Sequence, residues 1–294
     1  MLAPPAMLVL LASTALPARA QGGAGGQAPG DEAGLWMLML SALTDEDGYE
    51  HALASFHLGA TDRTWVSLTA GRSRAPSTEA EVRADLVAAG IEHDFGPIGL
   101  GLTAERWGDA DNLESRDWEG EIFLGDEDYR LALTLERRAI DVYFSGAGAP
   151  VPTDLRRRRV DADGFGLSGR LRVAPDWQIY GAWMDYDYPP GIRVVPRADR
   201  LGLLGTSAVT LALSFVDRYA SFGVERAFGQ KLLNVDLTRD RSVIDGTRLT
   251  SLSASMLWPL ALRMDLELRL GTSRAEGFGS ALYGGLTLLI YGGG

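Results

Sequence analysis

Nine residues, Leu262 to Leu270, read Leu-Arg-Met-Asp-Leu-Glu-Leu-Arg-Leu. No other stretch limits the possible folds so tightly. Apolar side chains occupy 262, 264, 266, 268 and 270, and charged ones fill the positions between. Successive side chains of a strand point to opposite faces. As a strand, this segment has one hydrocarbon face and one face carrying two arginines, an aspartate and a glutamate. A helix would spread the same charges around its circumference. Two folds remain. In a soluble sheet the apolar face packs inward and the charges meet water. In a barrel closed within a bilayer the apolar face meets lipid and the charges line the interior.

The same alternation recurs along the chain. Ala52, Ala54, Phe56 and Leu58 oppose His51, Ser55 and His57. Val82, Ala84, Leu86 and Ala88 oppose Glu81, Arg83 and Asp85, and Ile98, Leu100, Leu102 and Ala104 oppose Gly99, Gly101, Thr103 and Glu105. No stretch carries a helical period. About sixteen strands can be drawn, with fourteen possible. The difference lies in Arg197 to Leu204 and Ala208 to Phe215, read as two strands split at Gly205-Thr206. A strand from Tyr129 continues through Phe144 after a change of phase at Glu136 to Arg138, which predicts a bulge.

Composition narrows the class. The chain of 294 residues has no cysteine, so disulfides and thiolate metal sites are excluded. A net charge of −11 argues against a nucleic-acid partner. Beyond the first twenty residues there is no run of about 18 apolar residues, so no membrane helix is available. Met7 to Ala12 forms a short apolar core, and Ala18-Arg19-Ala20 fits a cleavage site before Gln21. No lysine or arginine precedes that core. Residues 1–20 therefore read as an export signal, 21–34 as a Gly-rich flexible lead-in, and 35–291 as one β domain.

The connections decide between the two folds. Short ones, near residues 60–62, 92–97, 125–128, 174–176, 205–207, 228–230 and 258–260, alternate with longer ones near 72–79, 106–117, 145–160, 186–196, 240–247 and 271–278. Residues 45–48 and 216–218 are short where the alternation asks for long. Short turns at one rim and long loops at the other mark an outer-membrane barrel. Trp36, Trp65, Trp107, Trp177, Trp183, Tyr186, Tyr188 and Trp258 lie near strand ends, where interfacial girdles form. The last strand, with Tyr283-x-Gly285-x-x-Leu288-x-Ile290, resembles the terminal assembly signal of Gram-negative outer-membrane barrels. It departs from that signal in its aliphatic residues and in ending Tyr291-Gly-Gly-Gly. The resemblance covers nearly the whole chain as architecture, without a family-specific motif. It implies outer-membrane localisation, outer-membrane lipids and lipopolysaccharide as partners, the barrel-assembly machinery, and a possible homo-oligomer.

Lumen-lining candidates follow from the polar face of each strand. They are Glu81, Arg83, Asp85, Glu105, Glu119, Glu121, Arg130, Arg170, Arg172, Arg263, Asp265, Glu267 and Arg269, with Arg200, Glu225 and Asp236. The signs are too balanced to assign ion selectivity. Tyr180, Tyr186 and Tyr188 offer stacking surfaces to a sugar polymer or sit in a girdle. His51 and His57 share a face with Ser55, but a residue four positions away on one strand lies about 13 Å off, beyond hydrogen-bond reach. His93-Asp94 resembles part of the His–Asp pair of omptin proteases, yet adjacent strand residues face opposite ways. Asp45-Glu46-Asp47 and Asp109-x-Asp111-Asn112-x-Glu114 offer oxygen ligands but lack an EF-hand pattern, so they read as solvated loop charge. Arg156 to Arg159 suits lipopolysaccharide phosphates or plain solvation. No cofactor or metal is implied. The expected function is a pore for small polar solutes or for export of a polymer. The alternatives are a hydrolase with a lumenal histidine, a non-conducting structural or adhesive barrel, and a soluble β domain.

Overall fold

In a computed structural model, residues 34–75, 82–109, 113–126, 128–143, 157–189, 215–243, 246–276 and 279–293 are described. The export signal lies outside them, as does the lead-in apart from Gly34. Fourteen antiparallel strands pair in sequence order and close on themselves. They are β1 (Trp36–Asp45), β2 (Glu50–Thr61), β3 (Thr64–Ala75), β4 (Val82–Asp94), β5 (Ile98–Asp109), β6 (Leu113–Gly125) and β7 (Tyr129–Tyr143). The second half comprises β8 (Arg157–Ala174), β9 (Trp177–Asp187), β10 (Val216–Phe228), β11 (Lys231–Ser242), β12 (Arg248–Ala261), β13 (Met264–Ala275) and β14 (Gly279–Gly292). Closure runs β1 against β14, from Trp36 opposite Gly292 to Asp45 opposite Tyr283.

The lower of the two strand counts is the one found. β9 pairs directly with β10, with Arg218 opposite Asp185 and Arg226 opposite Trp177, which leaves no place between them for further strands. The two segments drawn at 197–204 and 208–215 fall outside the described residues except Phe215. With them removed, the exception at 216–218 disappears, while the β1–β2, β5–β6 and β13–β14 connections stay short at three or four residues. The β2–β3, β4–β5, β6–β7, β8–β9, β10–β11 and β12–β13 turns lie at one rim and span two or three residues each. The other rim carries the longest connections, 144–156 and 188–215. That asymmetry places the long-loop rim outside the cell and the turns in the periplasm.

Solvation sets which face points where. Val87, Ile91, Leu131, Leu135, Leu167, Phe222, Leu252 and Leu270 are exposed on the outer surface, while Ser55, Thr134, Glu136, Arg138, Ser253 and Asp265 are buried within. In β13 the opening pattern is inside-out from Met264 onward. Leu268 and Leu270 are exposed outward and Asp265 is buried inward. Leu262 and Arg263 form the β12–β13 turn instead of starting the strand. A lipid-facing surface has to be apolar because hydrocarbon solvates no charge, and strand pairing around a closed ring satisfies every backbone group it crosses.

Above this apolar belt the polarity reverses. On β7 the outward residues Leu131 and Leu135 give way to Arg137, while inward Ile140 is fully buried and Val142 nearly so. The register from Tyr129 to Tyr143 is continuous against both neighbours, so the predicted bulge is absent. The apparent change of phase is a change of solvent: once the strand leaves the membrane, its outside meets water and its inside can be apolar. β4 does the same. Arg83 and Asp85 share the outer face with Val87 and Ile91, while Ala84 is buried inside. These inner apolar groups assemble into one cluster of Leu113, Ile140, Val142, Val160, Phe215 and Val243, with Trp107 and Tyr188 packed against it. It caps part of the lumen at the extracellular end.

Aromatic rings on the inner wall rest on glycines of the neighbouring strand. A Cβ at Gly99 would fall 1.9 Å from the Phe123 ring, and one at Gly164 would fall 2.8 Å from that of Tyr186. Glycines inside strands thus provide seats for rings that turn flat against the wall.

Candidate functional site: the barrel lumen

Register and burial place the predicted lumen residues. Glu105, Glu119, Glu121, Arg130, Arg170, Arg172, Glu225, Asp236, Asp265, Glu267 and Arg269 stand at inward positions. Arg83 and Asp85 stand outside, above the belt, where Asp85 receives Arg72 at 2.6 Å. Arg263 sits exposed in the periplasmic β12–β13 turn. Glu81 and Arg200 lie outside the described residues. Inward charges that the sequence reading passed over are Glu92, Asp117, Glu136, Arg138 and Asp240. Period-two counting finds them once β4 runs on to Asp94, β6 reaches back to Leu113, β7 keeps one phase and β11 runs on to Ser242.

With these placements the balance of sign changes. Arg83 and Asp85 leave the inner wall together, Arg263 leaves it for the turn, and Glu81 and Arg200 fall outside the described residues, while four further acids and Arg138 join. The inner wall of the described strands carries Glu92, Glu105, Asp117, Glu119, Glu121, Glu136, Glu225, Asp236, Asp240, Asp265 and Glu267 against Arg130, Arg138, Arg170, Arg172 and Arg269. Several of these arginines are held by acids. Arg130 binds Glu92 at 3.1 Å and Glu121 at 2.6 Å. Arg138 binds Glu136 at 2.8 Å and lies 3.4 Å from Asp117. Arg269 binds Glu267 at 3.0 Å. Outside these pairs stand Glu105, directly opposite Asp117, and Glu119, directly opposite Glu136.

Two polar networks brace this wall. Arg138 also donates to the Tyr186 hydroxyl at 3.1 Å, which donates in turn to Glu136 Oε2 at 2.7 Å. Arg138, Glu136 and Tyr186 are all buried. Lower on β9, Tyr180 donates to Asn234 Oδ1 of β11 at 2.7 Å and contacts Asp236, and Asn234 donates to Asp236 at 2.7 Å. The ring of Tyr180 lies over Gly223. Of the residues assigned to aromatic girdles, Trp65, Trp107, Tyr186 and Tyr188 stand on the inner face instead. Tyr188 lies in the extracellular cap beyond the end of β9, donates to the Val216 carbonyl at 3.0 Å, and has its phenol pushed up to about 12 by burial. Trp177 keeps the interfacial role, with the Arg226 guanidinium 4.8 Å above its ring.

The histidines are placed individually. Ser55 and His57, two apart on one face, form a hydrogen bond of 3.0 Å, and Ser55 meets Thr69 at 2.8 Å. The two-residue spacing permits this bond, whereas the four-residue spacing to His51 does not. His51 stacks on Tyr49, and its Nδ1 is buried without a partner. His93 bonds Thr64 at 2.8 Å, and the Asp94 carboxylate caps the adjoining turn through Gly96 N. The acidic segments serve the backbone or pair locally. Asp45 accepts from Asp47 N and Tyr49 N, Glu46 accepts from Leu282 N across the β1–β14 seam, and Glu114 lies under Arg106 and Arg116. Of the Arg156–Arg159 run, Arg159 pairs with Asp161 at 2.9 Å, and Arg156 lies outside the described residues.

No family model and no curated protein matches the chain. Solved structures do match its fold. The CymD monoaromatic hydrocarbon channel superposes with a TM-score of 0.57 at 8% identity, over 90% of each chain. A bacterial polysaccharide outer-membrane secretin gives 0.45 at 11% identity, over 88% of this chain and 99% of that one. The KdgM porin, solved in complex with a disordered oligogalacturonate, gives 0.44 at 6%, over 86% and 98%. At these identities the likeness is one of fold, and the two lower scores carry no argument about cargo. The chain is a closed fourteen-stranded antiparallel β-barrel with an apolar outer belt and the fold of a membrane channel, matched to no specific family.

Proposed function

We propose that the protein is a passive outer-membrane pore whose lumen favours small polar cations. The observation that carries this reading is the excess of carboxylates on the inner wall, gathered on β5 to β7 and β10 to β13 and only partly offset by arginines. Low-dielectric walls focus such a field and raise the local concentration of counter-ions. A hydrocarbon, the cargo named for CymD, would strip water from charged groups across the middle of this lumen, which opposes its passage. The apolar cap formed with Ile140 and Phe215 narrows the extracellular mouth on one side, so the pore is suited to small solutes more than to a bulky polymer.

The test is single-channel recording in planar bilayers across a salt gradient, after the folded state has been verified by heat-modifiable mobility. The expected result is steady conductance with a reversal potential on the cation side. Glu105→Gln with Glu119→Gln is expected to reduce the cation-to-anion permeability ratio about threefold at unchanged folding, in line with about 0.65 kcal/mol at RT of 0.59. A folded barrel that never conducts, or one that prefers anions, ends this reading.

A second reading starts from Ser55 and His57, whose hydrogen bond is the first link of a nucleophile–base pair. Ser55 is 1% exposed, which opposes attack on any substrate larger than water. Hydrolysis of activated esters that disappears in both Ser55→Ala and His57→Ala, with the barrel folded, would establish it.

A further inference from the structure

Just above the apolar belt, strands β10 to β13 set arginines directly across from one another. Arg218 faces Arg241, and Arg241 faces Arg248. Two residues closer to the membrane, Arg239 faces Thr250, and Thr250 faces Arg274. The side chains of Arg239, Arg248 and Arg274 are exposed on the outer surface. Neighbouring strands lie about 4.8 Å apart, and like charges directly opposite each other destabilise a sheet. Asp185 receives Arg218 at 2.9 Å, and Asp217 pairs with Arg241. These two acids lie at one edge of the patch, beside β10, and Glu276 stands across from Arg248 on the other side, whereas Arg239 and Arg274 have uncharged residues directly opposite on both neighbouring strands. The chain as a whole carries −11, so the patch runs against the sign of the protein that bears it.

Its height on the barrel identifies what it meets. Two residues toward the periplasm on the same outer face stand Leu237, Leu252 and, from Arg274, Leu270 after Thr272, all exposed. Hydrocarbon ends and headgroups begin between these leucines and the arginines. The rim is the long-loop rim, which faces the outer leaflet. A guanidinium fork matches the oxygens of a phosphate two at a time, and a doubly phosphorylated headgroup can bridge arginines that would otherwise repel.

We propose that Arg218, Arg239, Arg241, Arg248 and Arg274 form a binding site for the phosphates of an outer-leaflet phosphoglycolipid, its acyl chains lying along Leu237, Leu252 and Leu270. The inference rests on the barrel and its outer register, and stands whether or not the lumen conducts.

The experiment uses the full folded barrel in neutral detergent, with diphosphoryl lipid A as the probe, and compares it with an Arg239→Gln/Arg248→Gln/Arg274→Gln variant. The expected result is at least tenfold weaker binding by the variant, and equally weak binding of dephosphorylated lipid A by both proteins. In detergent without lipid A the variant should melt no lower than the wild type, because like-charge repulsion has been removed. Arg274→Gln alone should give a smaller loss in the same direction. Equal affinity of wild type and triple variant for lipid A would overturn the site. Equally tight binding of phosphatidylglycerol vesicles, or complete competition by millimolar inorganic phosphate, would overturn the assignment to a phosphoglycolipid. A variant that fails to fold in plain detergent would overturn the claim that these arginines repel one another.

Discussion

The membrane-level half of the barrel and its extracellular collar are built from the same strands with opposite polarity. In the lower half of β7, Leu131 and Leu135 face out while Arg130, Thr134 and Glu136 face in. In the upper part, Arg137 faces out while Ile140 and Val142 face in and pack with Leu113 and Val160. The boundary falls between Leu135 and Arg137, without a bulge or a break in pairing. A strand therefore determines only that its faces alternate. Which face is apolar depends on whether lipid or water lies outside, and a strand long enough to cross that boundary inverts its pattern.

The comparison can be broken most severely on the inner face just above that boundary. Arg138→Ala removes the cation shared by Glu136 and Asp117 and leaves buried carboxylate without compensation, which is expected to cost about 3–5 kcal/mol in urea unfolding of the refolded barrel. A loss below about 1 kcal/mol would show that water in the lumen already solvates those carboxylates. Next in size is the outer face on either side of the boundary. Leu131→Arg, in the belt, is expected to cost about 2–4 kcal/mol, and Arg137→Leu, three repeats of the alternation higher in the collar, no more than about 0.5. Equal costs for the two would erase the boundary drawn here. Smallest is the seat of Tyr186. Gly164→Ala presses a Cβ within 3 Å of that ring and should cost about 1–3 kcal/mol, whereas Gly120→Ala, with nothing near its Cβ, should stay within about 0.5 kcal/mol. Thermal melting in detergent micelles, read by loss of β circular dichroism, compares the pair, and parity between them would mean that Tyr186 yields freely.

Much of the lumen was legible wherever a strand stays within the membrane. Glu105, Glu119, Arg130, Arg170, Glu267 and Arg269 alternate with residues that lipid requires to be apolar, so their inward direction follows from local pattern. The same rule misplaced Arg83 and Asp85, because β4 begins above the hydrocarbon and its small inward residues, such as Ala84, imitate a lipid face. It hid Arg138 and Glu136 behind an imagined bulge for the same reason. The Ser55–His57 bond escaped because the distance along a strand was measured to the wrong neighbour. The outer arginine pairs were invisible for a different reason, since no single strand contains one of them.

The sequence by itself determined that the chain consists of alternating strands without a helical period and that each strand has one apolar face, for which the connection lengths favoured lipid as the solvent. These are properties of a two-residue period in a known solvent, and they need no partner. Only the tertiary structure decided that the sheet closes with fourteen strands, because closure depends on β9 meeting β10 across a long connection. It alone set Arg241 between Arg218 and Arg248, and Glu119 against Glu136. Register between strands is fixed by the whole ring at once, and the energies of those charges depend on the neighbours that register supplies.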